Sequence, residues 1–155
     1  MKILVLHGIN LNMFGKRDSA QYGTATLAEI DNRLKALAGE LGVEIECFQT
    51  NFEGAMVERL HKAHAEGIDG VVINPGAWTH YAYGIRDAVE ILEVPVIEAH
   101  MSNIHAREPF RRLSVFEGVV HQQIMGHGVD SYLMGLKAAV AAAQARLGVP
   151  PRAPA

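Results

Sequence analysis

Polar residues suited to binding a small hydroxylated anion occur in three short stretches of the chain, residues 7–23, 74–80 and 98–107, with Arg111 a little further on. They include asparagines, histidines, arginines and one tyrosine. Arginine can bind a carboxylate through two parallel hydrogen bonds, and asparagine amides can donate to and accept from hydroxyls. Histidine and tyrosine can transfer protons. The three stretches therefore predict a polar anion pocket with acid–base groups.

The elements that would position this pocket follow from the hydrophobic pattern. Short apolar runs alternate with longer segments of helical period, which favours parallel strands joined by right-handed helical crossovers. The predicted strands are residues 2–6, 43–49, 70–74, 95–99 and 119–125. The third and fourth runs are continuously apolar, as is typical of central strands covered on both faces. This order predicts an α/β, flavodoxin-like three-layer sandwich with a five-stranded parallel sheet.

Four helices complete the pattern, at residues 27–41, 53–66, 80–92 and 130–147. The first is the best marked, because Thr26 and Glu29 fit a capping box and Gly42 follows as a stop signal. A further helix starting near Ser102 would offer backbone N–H groups to an anion. In parallel sheets ligands bind beyond the carboxyl ends of the strands. The polar stretches directly follow the first, third and fourth predicted strands, so we expect them to meet in one pocket.

Composition limits the classes of protein to which the chain can belong. With 155 residues, 49% of them hydrophobic, we expect one domain at 1–149 and a disordered proline-rich tail at 150–155. The net charge of −3 argues against nucleic acid as a partner. The apolar start is too short for a signal peptide or membrane span. Cys47 is the single cysteine and is expected to be a buried hydrophobe, which favours a reducing, cytoplasmic location.

Several separated motifs carry a resemblance to a known family. They read Gly8-x-Asn10-Leu11-Asn12, Gly15-x-Arg17, Tyr22-Gly23, Asn74-Pro75-Gly76-Ala77-x-Thr79-His80, Glu98-x-His100-x-Ser102-Asn103 and His105-Ala106-Arg107-Glu108. In this order and spacing, they resemble the signature of the type II 3-dehydroquinate dehydratases. The resemblance implies a flavodoxin-like fold and trimers assembled into a dodecamer. It also implies anti elimination of water from 3-dehydroquinate through an enolate, without a cofactor, in the shikimate pathway or quinate catabolism.

The resemblance also implies roles for individual residues. Tyr22 matches the base, Arg17 the cation that favours its phenolate, and the glycine-flanked loop 15–23 a lid. His100 matches the general acid and Glu98 the carboxylate that orients it, while Asn10 would stabilise the enolate oxygen. The implied substrate-binding residues are Asn74, His80 and Arg111 for hydroxyls, Met101 and Ser102 for the carboxylate, and Asp87 from a neighbouring subunit.

Some positions depart from the family pattern. His7 and Ile9 stand where the family's opening motif has asparagine and proline, and Phe52 replaces a histidine. Trp78 replaces a smaller residue, and the pattern fades after Arg111. We expect His7 at the edge of the pocket. The altered surroundings permit either an active dehydroquinate dehydratase or a paralogue that acts on a related cyclic hydroxy acid.

Two other classes of function stay open at this point. A metal-dependent lyase or hydrolase would use His7, His80, His100 and His127, although no tight metal-binding motif occurs. A flavin- or nucleotide-binding module would share the fold, but no glycine-rich phosphate loop follows the first strand. Arg107 and Arg112 are expected to form surface or interface ion pairs rather than to bind a ligand.

Overall fold

A single parallel sheet organises the chain, as seen in a computed structural model that describes residues 1–151. The predicted tail at 150–155 falls mostly outside these residues. The sheet order is β2-β1-β3-β4-β5 with every pair parallel, which is the flavodoxin-like order. The expected fold class is therefore confirmed. The strands are β1 (Lys2–His7), β2 (Glu44–Gln49), β3 (Gly70–Asn74), β4 (Val96–His100) and β5 (Gln122–Met125).

Helices cover both faces of the sheet and produce three layers. They are α1 (Ser19–Tyr22), α2 (Leu27–Leu41), α3 (Glu53–Glu66), α4 (Tyr83–Ile91) and α5 (Val129–Leu147). One apolar cluster joins the sheet to α2 and α5, and a second joins it to α3 and α4. All residues of β3 and β4 are buried, because these interior strands are covered on both faces.

Local sequence accounts for the bounds of α2 and α3. The Thr26 hydroxyl accepts from the Glu29 N–H, and the Glu29 carboxylate accepts from the Thr26 N–H, which completes the expected capping box. Gly42 and Gly67 end the two helices in the left-handed conformation, at φ 69° and 71°. Glycine adopts this conformation without a side-chain clash.

The structure differs from the predicted bounds at α4. The helix begins at Tyr83 rather than at residue 80, because Gly76–His80 forms a 3-10 helix. Within that turn the Thr79 side chain points inward to Glu98, and its backbone carbonyl accepts from Val115 N–H. These tertiary contacts outweigh the local preference for a continuous helix.

Two further predictions need correction near the carboxyl ends of the strands. No helix starts at Ser102, since the chain bends there and forms only a 3-10 turn at Ile104–Ala106. The turn begins at Asn103, whose side chain accepts from His105 N–H. The last strand is shorter than predicted, because residues 115–119 form turns and residues 120–121 a bend before β5. Within residues 1–151, none of the helices combines the length and apolar character needed to span a bilayer.

Two glycines allow the loops after β1 and β3 to touch. A Cβ on Gly8 would lie 2.2 Å from the Pro75 carbonyl oxygen. A Cβ on Gly76 would lie 2.7 Å from the Ile9 carbonyl oxygen, and Gly76 also has a positive φ of 62°. Any larger residue would separate the loops that carry Asn10 and Asn74. The contact between backbones therefore sets the spacing of two predicted site residues.

We expect Gly8→Ala to destabilise the chain by about 1–3 kcal/mol, because the new methyl group meets rigid backbone. Denaturant unfolding followed by circular dichroism would measure this loss. Gly39→Ala is the matched control, since nothing lies within 4 Å of a Cβ placed on this α2 residue. It should stabilise the chain by about 0.5–1 kcal/mol. Equal effects of the two substitutions would contradict the close-contact explanation.

Candidate active site

A cleft lies beyond the carboxyl ends of β1, β3 and β4. Of the residues predicted for catalysis or substrate binding, only Glu98 and Asp87 do not line it. The lining residues among that set are Asn10, Arg17, Tyr22, Asn74, His80, His100, Met101, Ser102 and Arg111.

Tyr22 lies between two guanidinium groups at the mouth of this cleft. The Arg17 guanidinium carbon is 3.8 Å from the centre of the Tyr22 ring, and that of Arg107 is 5.2 Å away. Arg107 Nη1 also donates to the Tyr22 hydroxyl oxygen at 2.7 Å. Two cations next to one phenol oxygen and ring stabilise negative charge on that residue. This arrangement suits a tyrosine that acts as a base.

His100 forms a buried pair with Glu98 on the opposite wall. His100 Nε2 is 2.8 Å from Glu98 Oε1, and the Glu98 side chain is fully buried. This contact occupies Nε2 and leaves Nδ1 as the ring nitrogen without a protein partner among the described residues. Because His100 itself lines the cleft, the ring can exchange a proton with a bound molecule.

Three further donors complete the surroundings of the Glu98 carboxylate. They are the Thr79 hydroxyl at 2.6 Å, the Ser114 hydroxyl at 2.9 and 3.0 Å from the two oxygens, and Gln123 Nε2 at 2.6 Å. Burial by itself raises the pKa of this carboxyl, but the hydrogen bonds and charge of His100, with those from Thr79 and Gln123, hold the pKa below its ordinary value. Glu98 is therefore a carboxylate at neutral pH.

The two asparagines of the cleft are held by their loops in different ways. Asn10 has a φ of 67° and is the one non-glycine residue within 1–151 in the left-handed region, and its N–H donates to Asn51 Oδ1 at 2.9 Å. Asn74 is 3% exposed at the end of β3, and its Oδ1 accepts from the Gly76 N–H at 3.0 Å. A strained backbone conformation often marks a functional position.

The remaining predicted residues fall into two groups. His80 lines the cleft with its Nδ1 2.8 Å from the Leu113 carbonyl oxygen, and partial burial lowers its pKa, so its ring is neutral at pH 7. Arg111 also lines the cleft and pairs with Glu108 at 2.6 Å. Asp87 lies elsewhere, exposed on α4 beside Arg86. The chain by itself does not bring Asp87 to the cleft.

Sequence reasoning assigned one residue of the cleft wrongly. Arg107 was expected at a surface or interface ion pair, but its side chain is largely buried, lines the cleft and contacts Tyr22. Its position in the segment that follows β4 was the signal that could have identified it. Arg112 is exposed. Thr79, Ser114 and Gln123 were also missed as partners of Glu98, since no spacing rule links residues of such different elements.

The departures from the family pattern mostly lie away from the cleft, contrary to expectation. His7 is fully buried against α2 and α5, because the alternation of β1 turns its ring to that face. Trp78 is 1% exposed and packs in the core between the sheet and α3 and α4. Phe52 is 75% exposed and lies outside the cleft. Ile9 is the member of this group that lines it.

The histidines proposed for a metal centre do not converge. Of His7, His80, His100 and His127, the cleft is lined by His80 and His100, and His127 is exposed. Within the described part of the chain, the group of potential ligands that does come together is His7, Asp31 and Cys47, whose ligand atoms lie within 4.8 Å of one another. There the His7 Nε2 already bonds to Asp31 at 2.7 Å, and burial raises the pKa of the Cys47 thiol to about 12. These three residues form a buried hydrogen-bonded group under α2, away from the cleft.

The fold and cleft together define an α/β enzyme that binds a small anion and presents an acid and a base to it. The sequence model described as "Dehydroquinase class II" matches residues 1–140 of the chain. A 3-dehydroquinate dehydratase of Leptothrix cholodnii is 65% identical over 140 residues, covering 90% of this chain and 94% of the relative. That of Syntrophotalea carbinolica is 66% identical over 138 residues, covering 89% and 93%.

Solved structures agree with this match. The crystal structure of a type II dehydroquinase from Butyrivibrio crossotus superimposes with a TM-score of 0.88 at 42% identity, covering 90% of this chain and 97% of that one. The chain belongs to the class II dehydroquinase family. The resemblance deduced from the motifs is thus confirmed.

The Glu98 network generates a pH-dependent prediction. Because the pKa of Glu98 is lower in the folded chain than its ordinary value of 4.5, the carboxylate contributes stability above that value. This contribution is lost as the pH falls below 4.5 and through the lowered pKa of the folded chain. We expect Glu98→Gln to lower the free energy of unfolding by about 1–3 kcal/mol at pH 7, with the difference from the wild type shrinking below pH 4.5. Urea unfolding at several pH values measures this.

Glu117→Gln is the control for that series, because Glu117 is exposed and forms no ion pair within residues 1–151. It should change stability little at any pH. A difference between wild type and Glu98→Gln that stays constant from pH 7 to pH 3 would show that Glu98 is not the titrating group.

Proposed function

We propose that this chain catalyses the dehydration of 3-dehydroquinate to 3-dehydroshikimate by anti elimination through an enolate, without a cofactor. The observation that carries the proposal is the pairing, across one cleft, of Tyr22 between two guanidinium groups with His100 backed by a buried carboxylate. One side of the cleft is suited to removing a proton and the other to donating one. Elimination of water needs both groups. The step serves aromatic biosynthesis in the shikimate pathway or the breakdown of quinate.

Tyr22 is the base in this proposal. Its phenolate oxygen removes a proton from the carbon next to the ketone, and the electron pair moves to the ketone oxygen to form the enolate. Arg17 and Arg107 stabilise the phenolate before the proton transfer. Loop 15–23 carries Tyr22 and Arg17, and it closes over the bound substrate as a lid with its glycines at either end. Asn10 stabilises the enolate oxygen, directly or through a bound water.

His100 is the acid that completes the elimination. Its Nδ1 protonates the departing hydroxyl, the carbon–oxygen bond breaks and water leaves as the enolate electrons form the carbon–carbon double bond. Glu98 holds the ring through Nε2 at 2.8 Å and stabilises the positive charge that the ring carries as an acid. Thr79, Ser114 and Gln123 keep this carboxylate in place.

The other side chains of the cleft bind the substrate. Asn74, His80 and Arg111 bind hydroxyl groups, and Met101 N–H with the Ser102 hydroxyl binds the carboxylate. Arg107 Nε is buried and has no hydrogen-bond partner among the described residues. A buried donor without a partner is unfavourable. An anionic substrate in the cleft supplies an acceptor near it.

Assembly into trimers, gathered into a dodecamer, would complete the site. Tyr81, Phe110 and Leu113 are exposed at 52%, 64% and 57% beside His80. Exposed apolar residues grouped in this way favour a contact with another subunit. Asp87 on α4 would then reach the cleft of the neighbouring subunit, where it binds the substrate.

We also infer that residues 1–149 act as one catalytic domain, because both apolar clusters pack on the same sheet. A cytoplasmic location agrees with the free Cys47, whose thiol stays protonated.

The first test is turnover of 3-dehydroquinate by the purified protein, followed by the ultraviolet absorbance of the conjugated enone product. We expect activity that neither a chelator nor borohydride removes. Tyr22→Phe should abolish turnover, by at least about a thousandfold, while the substrate still binds, because the ring stays and the basic oxygen is lost. Isothermal titration measures the binding.

Tyr83→Phe is the control, since Tyr83 is exposed outside the cleft, and its rate should match the wild type. A near-normal rate for Tyr22→Phe would exclude Tyr22 as the base. A folded wild type that is inactive on 3-dehydroquinate would redirect the search to related cyclic hydroxy acids.

Mixed oligomers test the shared site. Asp87→Asn and Tyr22→Phe should each be strongly impaired alone. When the two variants are co-expressed, roughly a quarter of the sites regain both native residues if the chains mix at random within a closed ring, so activity should return. The steady-state rate of the mixed preparation measures this recovery.

A mixture of Tyr22→Phe with His100→Asn is the matched control, because both residues line the cleft of the same chain. It should stay inactive. Native mass spectrometry would show whether the oligomers contain both variants. If mixed oligomers of Asp87→Asn and Tyr22→Phe are also inactive, Asp87 does not act across the interface.

A further inference from the structure

A buried chain of hydrogen bonds runs from the cleft into the layer between the sheet and helices α2 and α5. Asn74 Nδ2 lies 3.0 Å from the Tyr132 hydroxyl oxygen, which lies 3.1 Å from His7 Nδ1. His7 Nε2 in turn lies 2.7 Å from Asp31 Oδ1. Tyr132 and His7 are fully buried, and Asn74 is 3% exposed at the wall of the cleft.

The positions of these residues follow from the fold. His7 and Asn74 end β1 and β3 and are register partners, so their side chains point to the same face of the sheet. Tyr132 lies in the first turn of α5 and its hydroxyl reaches both, while Asp31 is on α2. Tertiary packing of α2 and α5 therefore assembles the chain of contacts.

The direction of every proton in this chain is determined by its ends. An ionised carboxylate only accepts, so His7 Nε2 carries a proton and donates it to Asp31. At the other end, Gly76 N–H can only donate, so Asn74 Oδ1 accepts from it and Asn74 Nδ2 donates to the Tyr132 oxygen. The Tyr132 hydroxyl proton is then directed to His7 Nδ1, which acts as the acceptor. Burial raises the pKa of Tyr132, which keeps this proton on the phenol. The Tyr132 oxygen is left as the acceptor for an Asn74 N–H.

The direction of these hydrogen bonds also determines the orientation of the Asn74 amide. Gly76 N–H is a donor and binds Asn74 Oδ1 at 3.0 Å, while the Tyr132 oxygen accepts from Nδ2. A rotated amide would place its NH₂ group against the Gly76 N–H and its oxygen against a hydroxyl whose proton already serves His7. Both contacts would then be lost inside the protein, where an unpaired polar group is costly.

We propose that His7 is a positioning residue that, through the Tyr132 hydroxyl, fixes the Asn74 amide so that it presents its second N–H to the substrate in the cleft. This inference rests on the proposed function, in which Asn74 binds a substrate hydroxyl as a hydrogen-bond donor. It assigns a purpose to the buried imidazole at position 7. The ring acts from behind the cleft wall.

Kinetic variants test the positioning role. Tyr132→Phe and His7→Leu should each raise KM for 3-dehydroquinate by about 3- to 10-fold, the equivalent of one hydrogen bond, while kcat stays within about twofold. His7→Asn should restore KM to near the wild-type value, because its side-chain oxygen can take the place of Nδ1 as acceptor for the Tyr132 proton.

Ser131→Ala is the matched control for the loss of a buried hydroxyl. Ser131 is adjacent to Tyr132 and equally buried, but its hydroxyl accepts from the His127 N–H instead of joining the chain to the cleft. Its stability loss should resemble that of Tyr132→Phe, with KM unchanged. An unchanged KM in Tyr132→Phe, or an equal rise in Ser131→Ala, would overturn the proposal.

Nitrogen-15 spectra of histidine-labelled protein give a second readout that needs no substrate. We expect His7 as the neutral tautomer protonated on Nε2, and the Nδ1 resonance should shift in Tyr132→Phe as its hydrogen bond is lost. A ring protonated on Nδ1 would overturn the proposal. If the wild type fails to turn over 3-dehydroquinate while the tautomer is as expected, the proposed function fails and the hydrogen-bond chain stands.

Discussion

Parallel pairing of β1, β3 and β4 is the constraint on which the site depends. The pairing aligns His7 with Asn74 and Ile73 with Glu98, so the segments that leave these strands all emerge at one edge of the sheet. Those segments carry polar groups, and together they line the cleft. The contact of Gly8 with Pro75 then brings the first two segments to backbone distance.

The two faces of the sheet support the cleft through separate buried polar groups. On the face covered by α3 and α4, Glu98 is surrounded by donors from three different elements and holds His100. On the face covered by α2 and α5, His7 and Tyr132 hold Asn74. Buried polar groups of this kind are stable only when every member has a partner. Successive side chains of a strand point to opposite faces of the sheet. Strands that end at the same edge can therefore support the cleft from both faces.

Tyr22 is supported differently, because it lies on a segment with few buried contacts. Its position depends on α1, on the stacking of Arg17 over its ring and on the hydrogen bond from Arg107. Arg107 comes from the segment after β4, so Tyr22 is held from the end of the strand that carries His100. The Tyr22 ring also packs against Phe14 and the apolar cluster under α2 and α5, so both charges and apolar contacts hold it.

The sequence by itself predicts most of the strands and helices and most of the residues that line the cleft. The capping box at Thr26 and Glu29, the apolar strand runs and the order of strands and helices are local signals, and each depends on neighbours in the chain. The rule that ligands bind beyond the carboxyl ends of parallel strands brings Tyr22, His100 and Asn74 to one cleft from the sequence alone. Tertiary structure decided the contacts between residues far apart in sequence. In the folded chain, His7 and Trp78 point away from the cleft and Arg107 lines it. Ser114 and Gln123 donate hydrogen bonds to Glu98. These outcomes depend on strand register and on which helix covers each face, and neither has a local signal in the sequence.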